Sequence, residues 1–138
     1  MYLLDTNTVS ELRSGKRGQS EAVRAWAAQV RPNQLFLSSI TVLEIEIGIQ
    51  LLENRHPPQG QAIRTWFENV RRSFAGRILA FSEDTAVVCA RLHVPDPRSS
   101  YDSMIAATAI EHGFTVVTRN VKDFERTGVQ LLNPWSFV

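Results

Sequence analysis

Four carboxylates, Asp5, Glu44, Asp102 and Asp123, occupy settings in which a solvated acid is not expected. Three of them lie where apolar sequence meets the start of a predicted helix or the end of a predicted strand, and Glu44 lies on the apolar stripe of a predicted helix. Burying a carboxylate without a partner costs several kcal/mol. Such groups are therefore paired with cationic side chains or bound to metal ions, and we first test metal binding.

The first acid, Asp5, directly follows the apolar run Tyr2–Leu4, which predicts a short buried strand. An Asp-Thr-Asn cluster at residues 5–7 then favours the start of a helix that runs to about Arg13. Asp5 would thus stand at the carboxyl end of a strand, which is where open α/β sheets bind ligands. Asp5 could equally serve only as the N-cap of that helix, and this motif alone does not decide between the two.

The second acid, Glu44, lies in a predicted helix that runs from Ser38 to about Glu53, with Ser38 or Ser39 as its cap. On a 3.6-residue period, one face of this helix carries Ile40, Leu43, Ile47 and Leu51. Glu44 falls within that stripe and is expected to point at the core or at a cleft, unless it pairs with a nearby arginine. Glu46 and Glu53 lie on a different face and are expected to be solvated. Gly48 would allow close packing or backbone approach.

The third and fourth acids each follow a break in the sequence. A Pro-rich segment, Val94 to Pro97, and two serines precede Asp102, which places this acid in the first turn of an alanine-rich helix. The helix dipole alone would favour an acid there. Asp123 lies in the loop after a predicted strand at Phe114–Val117, at the same sheet edge as the first acid. Asn120 is an alternative polar ligand in that loop.

Strand-like runs alternate with helical segments along the chain. They cover residues 2–4, 35–37, 78–81, 114–117 and 130–132. This alternation predicts an α/β fold with a mostly parallel central sheet of about five strands and with helices on both faces. Because the chain has 138 residues, 43% hydrophobic content and no long linker, we expect a single domain over residues 1–138.

The motifs LLDTN, SSITVLEIEIG, YDSMIAATA and TVVTRNVKDF, in that order, resemble those of the PIN-domain ribonucleases. Within that family the resemblance is to the VapC-type toxins of bacterial and archaeal toxin–antitoxin systems. The closing segment from Gly128 to Pro134 resembles the final strand and exit of such toxins. The resemblance implies a PIN-like fold and a Mg²⁺-dependent endoribonuclease that hydrolyses RNA phosphodiester bonds.

The same resemblance implies a role for each acid. Asp5 and Asp102 would be the principal Mg²⁺ ligands, and Glu44 would complete the acidic cluster. Either Asp123 or Asn120 would be the fourth ligand, and Asp123 is preferred because it carries a charge. Mg²⁺ takes oxygen ligands from a few carboxylates, waters and substrate phosphates, and Mn²⁺ accepts the same ligands and is a possible substitute.

Polar residues next to the acids are expected to support them. By resemblance, the hydroxyls of Thr6 and Thr118 would orient the carboxylates, and Asn7 is a further supporting residue or alternative ligand. No acid–base histidine pair is indicated, because His56, His93 and His112 all lie outside the four motifs.

The charge balance leaves room for an RNA-binding surface. The formal net charge is only +1, but setting the four acids aside leaves ten acidic against fifteen basic residues. The basic residues close to the motifs, which are candidates for phosphate contact, are Arg13, Lys16, Arg17, Arg119 and Lys122. The alternative for scattered arginines is a solvated surface or salt bridges to partners.

The resemblance also implies two protein partners, a second copy of the chain and a cognate VapB-type antitoxin. The expected inhibitory contact is an amphipathic antitoxin helix in an apolar groove, often with an arginine that reaches toward the acids. The predicted helix from Gly60 to Phe74 carries Ile63, Trp66, Phe67 and Val70 on one face. These side chains belong either to the core or to such a groove, and the sequence leaves both open.

The expected compartment is the cytoplasm, with no membrane partner. No signal peptide is visible, and the apolar stretches are far shorter than the roughly 18 residues that a membrane span requires. The lone Cys89 is expected to fill space in the core, and no disulfide framework exists.

Two other classes of function compete with the ribonuclease. A haloacid-dehalogenase-like phosphatase also places an Asp after its first strand, but it requires a second Asp where this chain has Asn7. A PIN-like module that binds RNA without cutting it would be expected to lose one of the acids, and this chain keeps all four.

Overall fold

All five predicted strands are present, and every pairing between them is parallel. A computed structural model describes residues 1–138. The strands are β1 (Tyr2–Leu4), β2 (Leu35–Ser38), β3 (Ile78–Leu79), β4 (Thr115–Val117) and β5 (Leu131–Leu132). Their order across the sheet is β3-β2-β1-β4-β5. The predicted strand positions are therefore correct to within two residues.

Seven helices connect and cover the strands. They are α1 (Thr6–Glu11), α2 (Glu21–Gln29), α3 (Ser39–Arg55), α4 (Pro57–Ser73), α5 (Glu83–Leu92), α6 (Ser100–His112) and α7 (Val121–Phe124). Short 3₁₀ turns cover Pro32–Gln34, Glu125–Thr127 and Pro134–Ser136. Side-chain oxygens cap the first turns of α1, α2, α3 and α5. None of the helices combines the length and the apolar character needed to cross a membrane.

The sheet is covered on both faces, as the sequence predicts. Side chains alternate along a strand, so Leu3 and Val116 face one side while Leu4 and Val117 face the other. Ile105 and the buried alanines of α6 pack on the first face. The second face carries residues of α1 to α4, and its largest fully buried side chains include Trp26 and Phe67. Because α6 presents alanines to the strands, its axis can lie close to the sheet.

The order of the strands creates a crevice between β1 and β4. From β1 the chain adds β2 and then β3 on one side, and it later crosses back to add β4 and β5 on the other. The loops after β1 and β4 therefore leave the sheet in opposite directions. A position where neighbouring strands connect to opposite faces of the sheet is called a topological switch point. In open α/β sheets, ligands usually bind there, at the carboxyl ends of the strands. Asp5 follows β1 at that edge, and Thr118 follows β4.

The buried face of α3 differs from the predicted one. Of the predicted stripe, only Ile40 is buried, whereas Leu43, Ile47 and Leu51 are 44%, 42% and 51% exposed. The helix instead rests on Thr41, Ile45 and Ile49. Because α3 is apolar on almost every side, its periodicity did not identify the face that meets the core.

Two acids of α3 that were expected to be solvated are in fact paired. Arg64 of α4 donates from Nε to Glu53 at 2.6 Å and from a terminal nitrogen to Glu46 at 2.8 Å. These hydrogen bonds hold the pKa of both carboxyls below its usual range. The expectation of ordinary solvated acids was therefore wrong, because the arginine comes from another helix and cannot be recognised from the spacing within α3.

The close approach of α3 and α4 depends on Gly60 and not on Gly48. A Cβ atom on Gly60 would lie 2.6 Å from the backbone nitrogen of Glu53 and 2.7 Å from its Cα. A Cβ atom on Gly48 would meet nothing within 4 Å. The expectation that Gly48 allows close packing is therefore wrong, and the position at which it holds is Gly60.

We predict opposite effects of alanine at these two glycines. Gly60→Ala pushes two helix backbones apart and should lower the free energy of unfolding by about 1–3 kcal/mol. Gly48→Ala adds helix propensity in open space and should raise it by up to about 1 kcal/mol. Urea unfolding followed by circular dichroism measures both. If Gly60→Ala were as stable as the parent protein, the close contact between the two helices would not be a constraint on the fold.

Candidate active site

Asp5 is held at the end of β1 by three donors. Its Oδ1 accepts from the backbone N–H of Thr6 at 2.8 Å, and its Oδ2 accepts from the Thr118 hydroxyl at 2.8 Å. The Asn7 amide lies 3.4 Å from the same Oδ2. Asp5 is only 5% exposed. It therefore caps α1 and also lies at the crevice, at the carboxyl end of β1.

Thr118 joins the loops after β1 and β4. Its buried hydroxyl donates to Asp5 and accepts from the backbone N–H of Asn120 at 3.0 Å and from the Asn7 amide at 3.3 Å. Asn7 also accepts the backbone N–H of Arg119 at 3.3 Å. These contacts hold the Asp5 carboxylate in one orientation across the switch point.

Glu44 reaches the crevice from α3. It is half-buried, and its Oε1 accepts from the Thr6 hydroxyl at 2.9 Å. The acids that form salt bridges in this structure are Glu11, Glu46, Glu53 and Glu111. Glu44 therefore has no arginine partner, and the ion-pair alternative for this residue does not hold. The cleft that the sequence predicted in front of Glu44 is the switch-point crevice.

Asp102 occupies the first turn of α6, as predicted. The preceding loop is anchored by His93, whose Nδ1 accepts the backbone N–H of Arg98 at 3.2 Å. The other ring nitrogen lies 2.9 Å from the hydroxyl of Ser103, next to Asp102. Because Nδ1 is an acceptor, Nε2 carries the proton and donates to Ser103. His93 thus has a positioning role at the start of α6, although it lies outside the four motifs.

Burial and neighbouring negative charges raise the pKa of three acids at the crevice. Desolvation by burial is the main cause of the raised pKa of Asp5, Glu44 and Asp102. The Thr118 and Thr6 hydrogen bonds oppose this effect at Asp5, while the charge of Asp123 adds to it. Asp5 and Asp123 raise the pKa of Asp102 as well. We call Asp5, Glu44, Asp102 and Asp123 the acidic cluster, and none of these acids forms a salt bridge.

The two candidates for the fourth metal ligand, Asp123 and Asn120, follow β4 in the chain. Asn120 precedes α7, Asp123 lies within it, and both side chains are exposed. The charge of Asp123 acts on Asp5 and Asp102, whereas the Asn120 side chain makes no hydrogen bond. These electrostatics support Asp123 as the fourth acidic group.

Four of the five basic residues singled out in the sequence lie beside the crevice, on two sides of it. Arg13 and Lys16 line an open groove that also contains Thr6 and Glu44. Arg119 and Lys122 line a surface depression together with Asn120 and Asp123. Arg17 is exposed in the loop after α1 and lines neither of these surfaces.

Two supporting residues were missed in the sequence. Glu11 is buried at the end of α1, where it pairs with Lys16 at 3.0 Å and accepts the backbone N–H of Ser20 at 2.6 Å. The side chain of Trp135 lies under the guanidinium of Arg119, 5.4 Å from ring centroid to carbon. An acid five residues before a lysine was a usable signal for the first contact. No local signal pointed to the second, because its partners are 16 residues apart.

The acidic cluster fits a hard divalent cation by its chemistry. All of its donors are carboxylate oxygens. Three of the four acids are buried or half-buried, and none of the four forms a salt bridge. No three acidic, histidine or cysteine side chains lie close enough together to form a metal site by themselves. An open arrangement of this kind suits Mg²⁺, which keeps waters and binds substrate phosphates in addition to one or two carboxylates.

A doubly wound parallel sheet with acids at its switch point defines the class of α/β proteins that bind metal ions or phosphates there. The PIN domain family profile matches residues 2–130, and the chain belongs to that family. Ribonucleases of this family are in general metal-dependent. Because the chain belongs to this family, the phosphatase alternative does not hold.

Individual relatives are similar over their whole length. The VapC ribonuclease Y4jK of Sinorhizobium fredii is 38% identical over 98% of each chain. Toxin FitB of Neisseria gonorrhoeae is 37% identical over 98% of this chain and 99% of its own. The crystal structure of FitAcB from Neisseria gonorrhoeae superposes with a TM-score of 0.89 and 33% identity, covering 99% of this chain and all of the other.

We predict that removing one negative charge changes the response to metal. In metal-free buffer, Asp102→Asn should unfold at the same temperature as the parent protein or at a higher one, because the variant relieves repulsion from Asp5 and Asp123. Addition of Mg²⁺ should raise the Tm of the parent protein and have a smaller effect on the variant. Asp84→Asn, an exposed acid in the first turn of α5, is the matched control. An equal Mg²⁺ response in Asp102→Asn and the parent would contradict the assignment.

Proposed function

We propose that this protein is a Mg²⁺-dependent endoribonuclease and that it acts as the toxin of a toxin–antitoxin pair. The observation that carries the proposal is the set of three buried or half-buried carboxylates at the switch point, Asp5, Glu44 and Asp102, none of which forms a salt bridge. Membership of the PIN-domain family supports it, as do relatives named VapC ribonuclease and toxin FitB. The proposal takes residues 1–138 as a single cytoplasmic domain.

The acids would have different roles in RNA hydrolysis. Asp5 and Asp102 would hold Mg²⁺, with Asp123 as the fourth acidic group and Asn120 as its alternative. A bound Mg²⁺ supplies Lewis-acid assistance at the scissile phosphate and makes a bound water easier to deprotonate. Glu44 uses only Oε1 in its contact with Thr6, which leaves Oε2 free to bind the ion or to accept a proton. Mn²⁺ is expected to replace Mg²⁺, because both accept carboxylate oxygen.

The RNA backbone would be held by the cations beside the cluster. Arg119 is restrained at its backbone by Asn7 and at its side chain by Trp135, so little freedom is lost when it contacts a phosphate. Lys122 lies in the same depression, and Arg13 and Lys16 lie on the opposite side of Glu44. Arg17 would act only through its general positive charge.

The expected protein partners are a VapB-type antitoxin and a second copy of the chain. The antitoxin follows from the resemblance to VapC-type toxins. A surface for the second copy is the exposed side of α3, where Leu43, Ile47 and Leu51 form an apolar stripe. An apolar stripe of this kind on a helix is normally covered in the assembled protein.

RNA cleavage is the experiment that tests the ribonuclease. The purified, antitoxin-free protein should cut RNA in Mg²⁺ and not in EDTA, and Glu44→Gln should lower the rate by at least about a hundredfold, as expected for the loss of one catalytic carboxylate. Glu68→Gln, an exposed glutamate on α4, serves as control. Cleavage by Glu44→Gln at the rate of the parent protein would show that the assigned site is wrong. No cleavage of any RNA pool in Mg²⁺ would favour a module that binds RNA without cutting it.

The dimer can be tested separately by its mass in solution. We predict that Ile47→Glu converts the purified protein from a dimer to a monomer, because a charge in the centre of the stripe would be buried without a partner. Val87→Glu is the matched control, since Val87 is 53% exposed on α5. Size-exclusion chromatography with light scattering measures the mass. A parent protein that is already monomeric would rule out the stripe as a contact between copies.

A further inference from the structure

A groove of about 330 Å³ runs from the acidic cluster between α3 and α4, and we call it the α3–α4 groove. Thr6 and Glu44 form its inner end, which is the part that it shares with the cluster. Its apolar floor includes Ile49, Leu52, Ile63 and Trp66. Any ligand that lies in the groove is therefore in direct continuity with the proposed site of cleavage.

Two cations stand at the edge of this groove. Lys16 is fixed by its salt bridge to the buried Glu11, which leaves two of its ammonium N–H groups free to bind another anion. The backbone carbonyl of Glu11 also accepts the amide of Gln19 at 2.7 Å, which closes the loop that carries Lys16. Arg13 makes no salt bridge. The edge of the groove thus offers positive charge in a restrained position.

The groove also has room for a flat aromatic ligand. Trp66 is only half-buried, and its side chain forms part of the apolar floor. Gly48 lies on the α3 side, where a Cβ atom would meet nothing within 4 Å. An indole that is accessible to a ligand is a surface on which nucleobases stack irrespective of their sequence.

We propose that the α3–α4 groove binds one nucleotide of single-stranded RNA adjacent to the scissile phosphate. The base lies against Trp66, and the phosphate next to it contacts Arg13 and Lys16. A nucleotide combines an apolar ring with an anionic group, which is the combination that the floor and edge of the groove offer. A purely apolar segment would cover the floor and leave Arg13 without a partner and two N–H groups of Lys16 unused. The proposal rests on the proposed function and specifies how its substrate is held.

The test fills the groove without touching the acids. Gly48→Leu places a side chain in open space, so the fold should persist, and circular dichroism checks this. Asn54→Leu, exposed near the end of the same helix and outside the groove, is the control. Each substitution is made in the parent protein, for cleavage kinetics, and in Asp102→Asn, for binding without cleavage. The probe is a pool of short, labelled single-stranded RNA oligonucleotides.

Gly48→Leu should weaken RNA binding about tenfold, the loss expected for one stacked base. In the cleaving protein it should raise KM by a similar factor and leave kcat near the parent value, because the acids are intact. Asn54→Leu should match the parent. Trp66→Leu should resemble Gly48→Leu, and Trp66→Phe should recover most of the affinity because it retains an aromatic face.

Two results would overturn the inference, and they can be told apart. If the parent protein cuts RNA and Gly48→Leu binds and cuts it equally well, the groove does not hold the substrate and is left for a peptide segment of the antitoxin, while the ribonuclease stands. If the parent cuts no RNA and Asp102→Asn binds none, the proposed function and this inference fail together.

Discussion

The structure depends on one electrostatic constraint, the burial of Asp5 among other acids without a cation to neutralise it. Only neutral donors reach this carboxylate, namely the backbone of Thr6 and the side chains of Thr118 and Asn7. Neutral hydrogen bonds offset part of the cost of desolvation, but they do not remove repulsion from neighbouring charges. A cation that binds at this site would relieve the remaining repulsion between the carboxylates and so stabilise the folded protein. This favourable binding is the physical basis of the proposed activity.

The sheet order makes this concentration of charge possible. At the boundary between β1 and β4, two neighbouring strands send their connections to opposite faces, so the backbone leaves a crevice there. Asp5 and Thr118 end these two strands, while α3 and α6 bring Glu44 and Asp102 to the same edge. The topology of the sheet thus brings together residues that are up to 113 positions apart in the chain. The local sequence determines only which amino acids stand at these positions.

The strands could be predicted because a sheet covered on both faces requires short runs that are apolar throughout. The position of Asp102 in its helix was equally visible, since a proline-rich break and two serines precede it. The buried face of α3 could not be predicted, because apolar residues surround most of that helix. The pairing of Glu46 with Arg64 and the packing of Arg119 on Trp135 depend on contacts formed only after folding. The sequence therefore indicated which groups are chemically important, and the tertiary structure decided how they are supported.

In the proposed function, the helix α3 links the binding of metal, substrate and inhibitor. Its buried side contributes Ile45 to the core, its next side contributes Glu44 to the acidic cluster, and Gly48 lies one turn further along in the groove. A ligand in the groove is thus within a few ångströms of the cluster. A peptide that covers the apolar floor and extends one cationic side chain to Glu44 would occupy the nucleotide position and neutralise the acids at once. Such a peptide must weaken the binding of metal and RNA, and by thermodynamic linkage metal and RNA must weaken its binding to the same extent.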